Sequence, residues 1–194
     1  YKPRFSVLDS SDSAGILNDI LKTTDKKEIR RAQSVISNWK NAQLPPALAA
    51  QQAENETERQ LAIVYQAYQD TLQAYQAMDF DDLIRLPVEL FEKHPEVLEK
   101  WRDKLRYLLI DEYQDTNTCQ YQLVKQIAGS RGAFTAVGDD DQAIYAWRGA
   151  NVENLKLLQD DPPKLPVIKN LTLTLDAGDR LAVIQDLAAR EAVR

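Results

Sequence analysis

Apolar positions over residues 12–22 recur at helical spacing. Ile16, Leu17, Ile20 and Leu21 share one face, and Ser10 or Ser11 stands where a helix cap belongs. Residues 27–41 open charged and turn amphipathic, with Val35, Ile36 and Trp39 as apolar positions. The stretch AQLPPALAAQQAENET, 42–57, is rich in Ala and Gln, and its Pro45-Pro46 pair predicts a loop or helix break. From 57 to 77, Leu61, Val64, Tyr65, Tyr68, Leu72 and Tyr75 form one long apolar stripe. A tyrosine-rich stripe at that spacing reads as packing rather than as a ligand site. Shorter helices are predicted over 80–92 and 95–104.

The pattern changes at Tyr107. Tyr107–Ile110 is a short continuous apolar run, as in a strand buried on both faces. Residues 118–128 return to helical spacing, with Leu123, Val124 and Ile127 inward and Gly129 as the stop. Ala133–Val137 and Leu165–Ile168 read as further strands. Strand, helix, strand with short links predicts a βαβ unit and a parallel sheet, hence an α/β fold. The tail shows an alternating run, Leu171–Leu175, and then a helix over 179–193. The organisation expected is a mainly helical part, 1–104, a sheet-building part, 105–169, and an unassigned tail, 170–194. No internal repeat is visible.

Composition excludes more than it suggests. With 44% hydrophobic and 28% charged residues, the 194-residue chain has an ordinary globular profile. No apolar run approaches the ~20 residues that cross a bilayer, and the first residues lack the apolar stretch of a secretory signal. The single Cys119 excludes an internal disulfide and fits a reducing compartment. With one histidine, His94, a zinc site is not expected. The net charge of −6 is not a nucleic-acid footprint, so any such binding must come from local chemistry.

Local chemistry concentrates in the second half. In LLIDEYQD, 108–115, three apolar residues run straight into Asp111 and Glu112, with Asp115 close behind. Parallel α/β sheets bind ligands beyond the carboxyl ends of their strands. A second cluster, Gly138-Asp-Asp-Asp-Gln142, ends the next strand, so both would face one crevice. Like charges this close need compensation, and Mg²⁺ commonly takes one or two carboxylates plus phosphates. A solvated acidic loop pair is the alternative, and spacing alone leaves both open. A further constellation is Tyr145, Trp147 and Arg148 in AIYAWRGA. A flat aromatic beside a guanidinium suits stacking on unpaired bases; the alternative is a Trp147 that fills a core. Trp39 and Trp101, with helical apolar neighbours, are expected in the core, His94 at the surface, and Cys119 as a small packing residue. Asp81 and Asp82 either join the helical region to the sheet or simply start a helix.

These residues resemble the UvrD/Rep/PcrA family of superfamily 1 DNA helicases, Rep-type members above all. LLIDEYQDTN, 108–117, is similar to that family's Walker B segment, motif II, and FTAVGDDDQAIYAWRGA, 134–150, to its motif III. MDFDDLI, 78–84, and ISNWKN, 36–41, are similar to two more family segments, and the likeness runs from about residue 2 to 169. The resemblance implies part of a RecA-like parallel sheet with flanking helices, of the P-loop NTPase type but incomplete. It implies a helicase that couples ATP hydrolysis to movement on single-stranded DNA and duplex unwinding, with ATP and Mg²⁺ as cofactors. Asp111 would bind the metal of MgATP through water. Glu112, close to the same metal, would orient or deprotonate the attacking water. Gln142 would sense the γ-phosphate, its plainer role being a cap on the following turn. Trp147, flanked by Tyr145 and Arg148, would stack on single-stranded DNA. Implied partners are single-stranded DNA, duplex junctions and replication or repair proteins, with no membrane, in a bacterial-type cytoplasm at the nucleoid.

One part of that machinery is not in the sequence. A Walker A loop reads GxxxxGK[ST], and none of the six glycines is followed by lysine. Nothing matches a second RecA-like domain, and residues 170–194 do not align with the family. The expectation is a helicase fragment with no ATPase of its own; the alternative is a non-catalytic single-stranded-DNA-binding or protein-interaction module that keeps the Trp147 surface.

Overall fold

The computed structural model describes residues 4–129, 134–138, 150 and 154, and the backbone of 181–184. The chain divides into two units, Tyr1–Leu86 and Pro87–Arg194.

The first unit runs β1 (Ser6–Leu8), α1 (Ser10–Leu21), α2 (Lys26–Asn41), α3 (Pro46–Gln52), α4 (Glu56–Ala74) and β2 (Ala77–Asp79). Helix α5 (Asp82–Lys93) then carries the chain into the second unit. The cap of α1 is Asp9, one residue before the expected serines. Its Oδ1 accepts from the N–H groups of Ser11 and Asp12 at 2.7 and 2.8 Å. The Asp12 carboxylate answers by accepting from the Asp9 N–H at 3.2 Å, so a reciprocal box outcompetes a lone hydroxyl. The expected break falls at residues 42–45, between α2 and α3, and Pro46 then starts α3. Pro46 occupies the first helical turn, where a missing N–H costs nothing.

The tyrosine stripe on α4 packs as expected. Tyr65, Tyr68 and Leu72 are buried with Leu17, Ile29, Ala32, Ile36 and Ala77. Trp39 packs against this cluster, its ring stacked on Tyr65 at 5.9 Å. Each large apolar side chain fully buried in this way contributes about 1.5–3 kcal/mol. Tyr75, the last of the stripe, is exposed beyond the end of the helix. Strands β1 and β2 pair in parallel, Ser6 opposite Ala77 and Leu8 opposite Asp79. At three residues each they are too short to show a period, and the sequence pattern missed both.

That pairing delivers Asp79 to a buried lysine. Lys40 is fully buried, with its Nζ 2.6 Å from Asp79 Oδ2 and 2.9 Å from Asp82 Oδ2. It lies over the Tyr68 ring, 5.1 Å from the centroid. The Tyr68 hydroxyl is 3.0 Å from both Asp79 Oδ2 and Ser13 Oγ. Asp79 Oδ1 accepts the Asp82 N–H at 2.9 Å, and Asp82 Oδ1 accepts from Arg85. Two sequence segments singled out separately, ISNWKN and MDFDDLI, therefore meet through one ammonium group. Asp82 both opens α5 and joins it to α2. Asp81 accepts from Asn41 Nδ2 at 3.3 Å. Burial, and then the neighbouring Asp79 charge, push its carboxyl up to about 6.

In the second unit come the rest of α5, α6 (Pro95–Lys104), β3 (Tyr107–Ile110), a tight turn at Tyr113–Asp115, α7 (Thr118–Ala128), β4 (Phe134–Ala136) and β5 (Leu181–Ile184). The sheet order is β4-β3-β5, with both neighbours parallel to β3. Leu108 stands opposite Phe134, and Tyr107 opposite Leu181. The β3–α7–β4 passage is the expected βαβ unit. Strand β5 falls inside the stretch expected to be helical, 179–193. A run as short as Leu-Ala-Val-Ile is compatible with either element, and pairing with β3 decides it. The expected strand at Leu165–Ile168 lies outside the described residues.

The core of this unit comprises Phe91, Leu98, Leu108, Ile110, Tyr113, Val124, Ile127 and Ala128. Cys119 is buried, and His94 is at the surface. Trp101 departs from expectation: it is 43% exposed, with Lys104 Nζ 5.2 Å from its ring centroid. Leu98 is the position α6 buries, and Trp101 covers the helix end beside a lysine instead.

Lys40→Met should leave Asp79 and Asp82 buried against each other and cost about 3–5 kcal/mol in urea unfolding of the chain. A loss below about 1 kcal/mol would show that the cation does not hold the first unit together. Asp81 gives a pH signature. Its folded pKa is raised, so its contribution is fully present below the unfolded value of 3.8 and is lost as pH rises through about 6. The free energy of unfolding measured across that window should fall more steeply with rising pH in the wild type than in Asp81→Asn; parallel curves would refute the assignment.

Candidate functional site

Strand β3 ends at the buried Ile110, and the next two residues, Asp111 and Glu112, are both exposed. The sheet ladder is extended past this end by two backbone bonds. The Val137 N–H donates to the Ile110 carbonyl at 2.8 Å, and the Tyr113 N–H donates to the Val137 carbonyl at 2.9 Å. The loops after β3 and β4 are thus laced together. Gly138, which opens the second acidic cluster, lies directly against the turn that follows Glu112. A Cβ placed there would be 2.6 Å from Gln114 Oε1 and 3.2 Å from the backbone nitrogens of Tyr113 and Gln114.

Glu112 has φ 52° and ψ 45°, the left-handed conformation. For a residue with a Cβ this costs on the order of 1–2 kcal/mol. Local bonds hold it: Asp111 Oδ1 accepts the Glu112 N–H at 3.0 Å, and Gln114 Nε2 donates to Glu112 Oε2 at 2.7 Å. The sharp bend separates the two kinds of side chain. Tyr113 and Gln114 turn inward, each 1% exposed, while Asp111 and Glu112 stay in water. Burial drives the Tyr113 phenol well above its ordinary pKa, so it stays neutral. The turn closes through Thr116, whose N–H and Oγ1 both donate to the Tyr113 carbonyl, at 3.1 and 2.7 Å.

The turn is also held from later in the chain. Asn154, 2% exposed, donates from Nδ2 to the Thr116 carbonyl at 2.9 Å and approaches Thr116 Oγ1 at 3.3 Å. Asn117 and Ala150 form an antiparallel bridge. Asn117 also caps α7 through a reciprocal pair with Gln120, at 2.8 and 2.9 Å. At the other end of α7, Arg102 donates from Nε and Nη2 to the Gln126 carbonyl at 2.8 and 2.6 Å, where a cation is favoured. Gly129 follows at φ 53° as the expected stop.

The structure therefore brings Asp111 and Glu112 together at the carboxyl end of the middle strand, with the first residue of the second cluster beside them. Gln142, Tyr145, Trp147 and Arg148 lie outside the described residues. Sequence reasoning assigned no role to Gln114 or Asn154. For Gln114 the available signal was a polar residue between Glu112 and Asp115 in the turn that follows the apolar strand; for Asn154 there was none. No cluster of three or more acidic, histidine or cysteine ligands occurs among the described residues. A cation here would rest on the two carboxylates, with water and phosphate completing its shell. That oxygen-only set suits Mg²⁺, which holds few protein ligands and keeps its waters.

Comparison with known proteins bears on this arrangement directly. The family described as the UvrD/REP helicase N-terminal domain matches residues 1–163. The ATP-dependent DNA helicase Rep of Salmonella typhimurium is 49% identical over 171 residues, 87% of this chain and 25% of that protein. Rep of Escherichia coli K12 has the same identity and coverage. The ATP-dependent DNA helicase PcrA of Staphylococcus aureus is 41% identical over 168 residues, 84% of this chain and 23% of that protein. The chain spans about a quarter of the length of these relatives.

Asn154→Ala should leave the Thr116 carbonyl without its buried donor and destabilise the second unit by about 1–3 kcal/mol. Hydrogen exchange should quicken at the amides of residues 116–120. Unchanged exchange there would show that the turn stands without Asn154.

Proposed function

The chain belongs to the UvrD/REP helicase N-terminal domain family, and from that premise we propose that the whole protein is an ATP-dependent DNA helicase. It would move on single-stranded DNA, open duplex junctions and act in the cytoplasm beside replication or repair proteins. No helix among the described residues is long and apolar enough to cross a membrane. The observation that carries the reading is the exposed Asp111-Glu112 pair at the carboxyl end of β3, with Glu112 held in a left-handed turn.

In this reading Asp111 would hold the Mg²⁺ that accompanies ATP. The metal, when bound with ATP, supplies charge neutralisation across the phosphate oxygens. Glu112 orients the attacking water and accepts its proton. Its carboxylate is solvent-exposed, and among the described residues one of its oxygens accepts a hydrogen bond, from Gln114, with the other directed to water in this reading. Gln142, in the second acidic cluster of the sequence, reads the γ-phosphate. Trp147, with Tyr145 and Arg148, stacks on unpaired bases, a sequence-tolerant contact. None of the chain's glycines precedes a lysine, so no phosphate cradle of the Walker A type lies within these 194 residues.

In the full-length protein, Glu112→Gln should keep nucleotide binding while turnover falls at least ~10²-fold, the low end for a lost general base. Asp111→Ala should weaken binding of the Mg²⁺-nucleotide instead. Normal turnover in Glu112→Gln would make the carboxylate structural and defeat the reading. The 194-residue chain alone should release no phosphate from ATP with or without DNA; release abolished by Glu112→Gln would overturn that expectation. Trp147→Ala in the full-length protein should weaken oligo-dT binding by about 1–3 kcal/mol with an unchanged melting temperature. A large stability loss without a specific affinity loss would move Trp147 into the core.

A further inference from the structure

Gln114 is a buried amide aimed at an exposed carboxylate. At 1% exposure a glutamine side chain is costly unless its polar atoms are used. Its Nε2 donates to Glu112 Oε2 at 2.7 Å. Its Oε1 lies so close to Gly138 that a Cβ there would come within 2.6 Å. No positive φ explains a glycine at 138; the requirement is space. The Tyr113–Val137 backbone bond fixes that approach, so Gly138 and Gln114 are held against each other by main chain. The left-handed Glu112 then folds the chain so that residue 114 can reach back across two positions.

We infer that Gln114 is a positioning residue for Glu112, and that Gly138 keeps open the space it occupies. The inference rests on the reading of Glu112 given above. A free glutamate on a surface loop samples several rotamers. One hydrogen bond from a buried amide selects among them and, among the described residues, leaves Oε1 of Glu112 to meet water. The donor is a neutral amide, so it fixes the carboxylate by a directed hydrogen bond without placing a cation beside it. Through the Gly138 contact, the start of the loop after β4 sets the orientation of a carboxylate on the loop after β3.

Two experiments test this. In the 194-residue chain, the side-chain amide resonances of Gln114 should be protected from exchange, and Glu112→Gln should shift them. Resonances that exchange freely and do not move would overturn the inference, and this readout needs no substitution at Gln114. In the full-length protein, Gln114→Met keeps the length and removes the donor. It should lower kcat about 10-fold, within the range expected for misplacing a reacting group, with KM for ATP unchanged within about 2-fold. Gly138→Ala should lower kcat in the same way. In a Glu112→Gln background, Gln114→Met should cause no further loss, because the carboxylate it orients is already gone. An equal loss in both backgrounds would mean that Gln114 acts on the fold and not through Glu112, and would overturn the inference. Wild-type kcat in Gln114→Met, with turnover abolished by Glu112→Gln, would overturn it while sparing the role of Glu112. Wild-type turnover in Glu112→Gln would overturn both.

Discussion

Two backbone hydrogen bonds just past the end of the sheet, Val137 N–H to the Ile110 carbonyl and Tyr113 N–H to the Val137 carbonyl, decide where the chain leaves the sheet and where Asp111 and Glu112 stand. A buried parallel strand must satisfy its main chain to the last residue and then place any charge in water. Here the neighbouring strand's loop satisfies it, and the chain turns at once through a left-handed Glu112. Tyr113 and Gln114 are drawn inward and Asp111 and Glu112 are left outside. The strain at Glu112 is offset by bonds within the same turn and by Asn154 at its far side.

The first unit solves a related problem in the opposite sense. There the charges are buried, and Lys40 is acceptable inside because two carboxylates meet it. A tyrosine hydroxyl, a backbone N–H and Arg85 take up the remaining acceptor sites. Such a network is expensive to break and adds little over an apolar core. Its use is registration: α2, α4 and β2, which already share an apolar core, are tied together with α5 at one point. The isolated two-stranded pairing of β1 and β2 makes sense in that light, since its last residue is Asp79.

Kinship with the UvrD/REP helicase N-terminal domain accounts for both features lying in segments recognisable from sequence. It does not explain how they work. The amide of Gln114 and the missing side chain of Gly138 become intelligible only as a fit between two loops. Local rules are broken at Glu112, a bulky residue in a glycine's conformation. The same conformation occurs at Lys22, Gln43 and Gln76, so what sets Glu112 apart is its place at the end of the middle strand.

The sequence by itself determined the long elements and the residues that carry charge. Helices α2, α4, α6 and α7 and strand β3 follow from periods that burial imposes over many positions, and Asp111-Glu112 followed from an apolar run ending in acid. Short elements were not legible. Strands β1, β2 and β5 hold three or four residues, fewer than a period can declare, and exist because a partner strand is beside them. The Pro45-Pro46 pair announced the break between α2 and α3 but not that Pro46 itself would open a helix. Trp101 reads as core until α6 is seen to bury Leu98 instead. The burial of Lys40, the reach of Asn154 across 38 residues and the pressure of Gln114 on Gly138 are contacts between residues far apart or turned toward each other by one dihedral. Only tertiary structure decides such contacts, because their energy depends on distance in space and not on order along the chain.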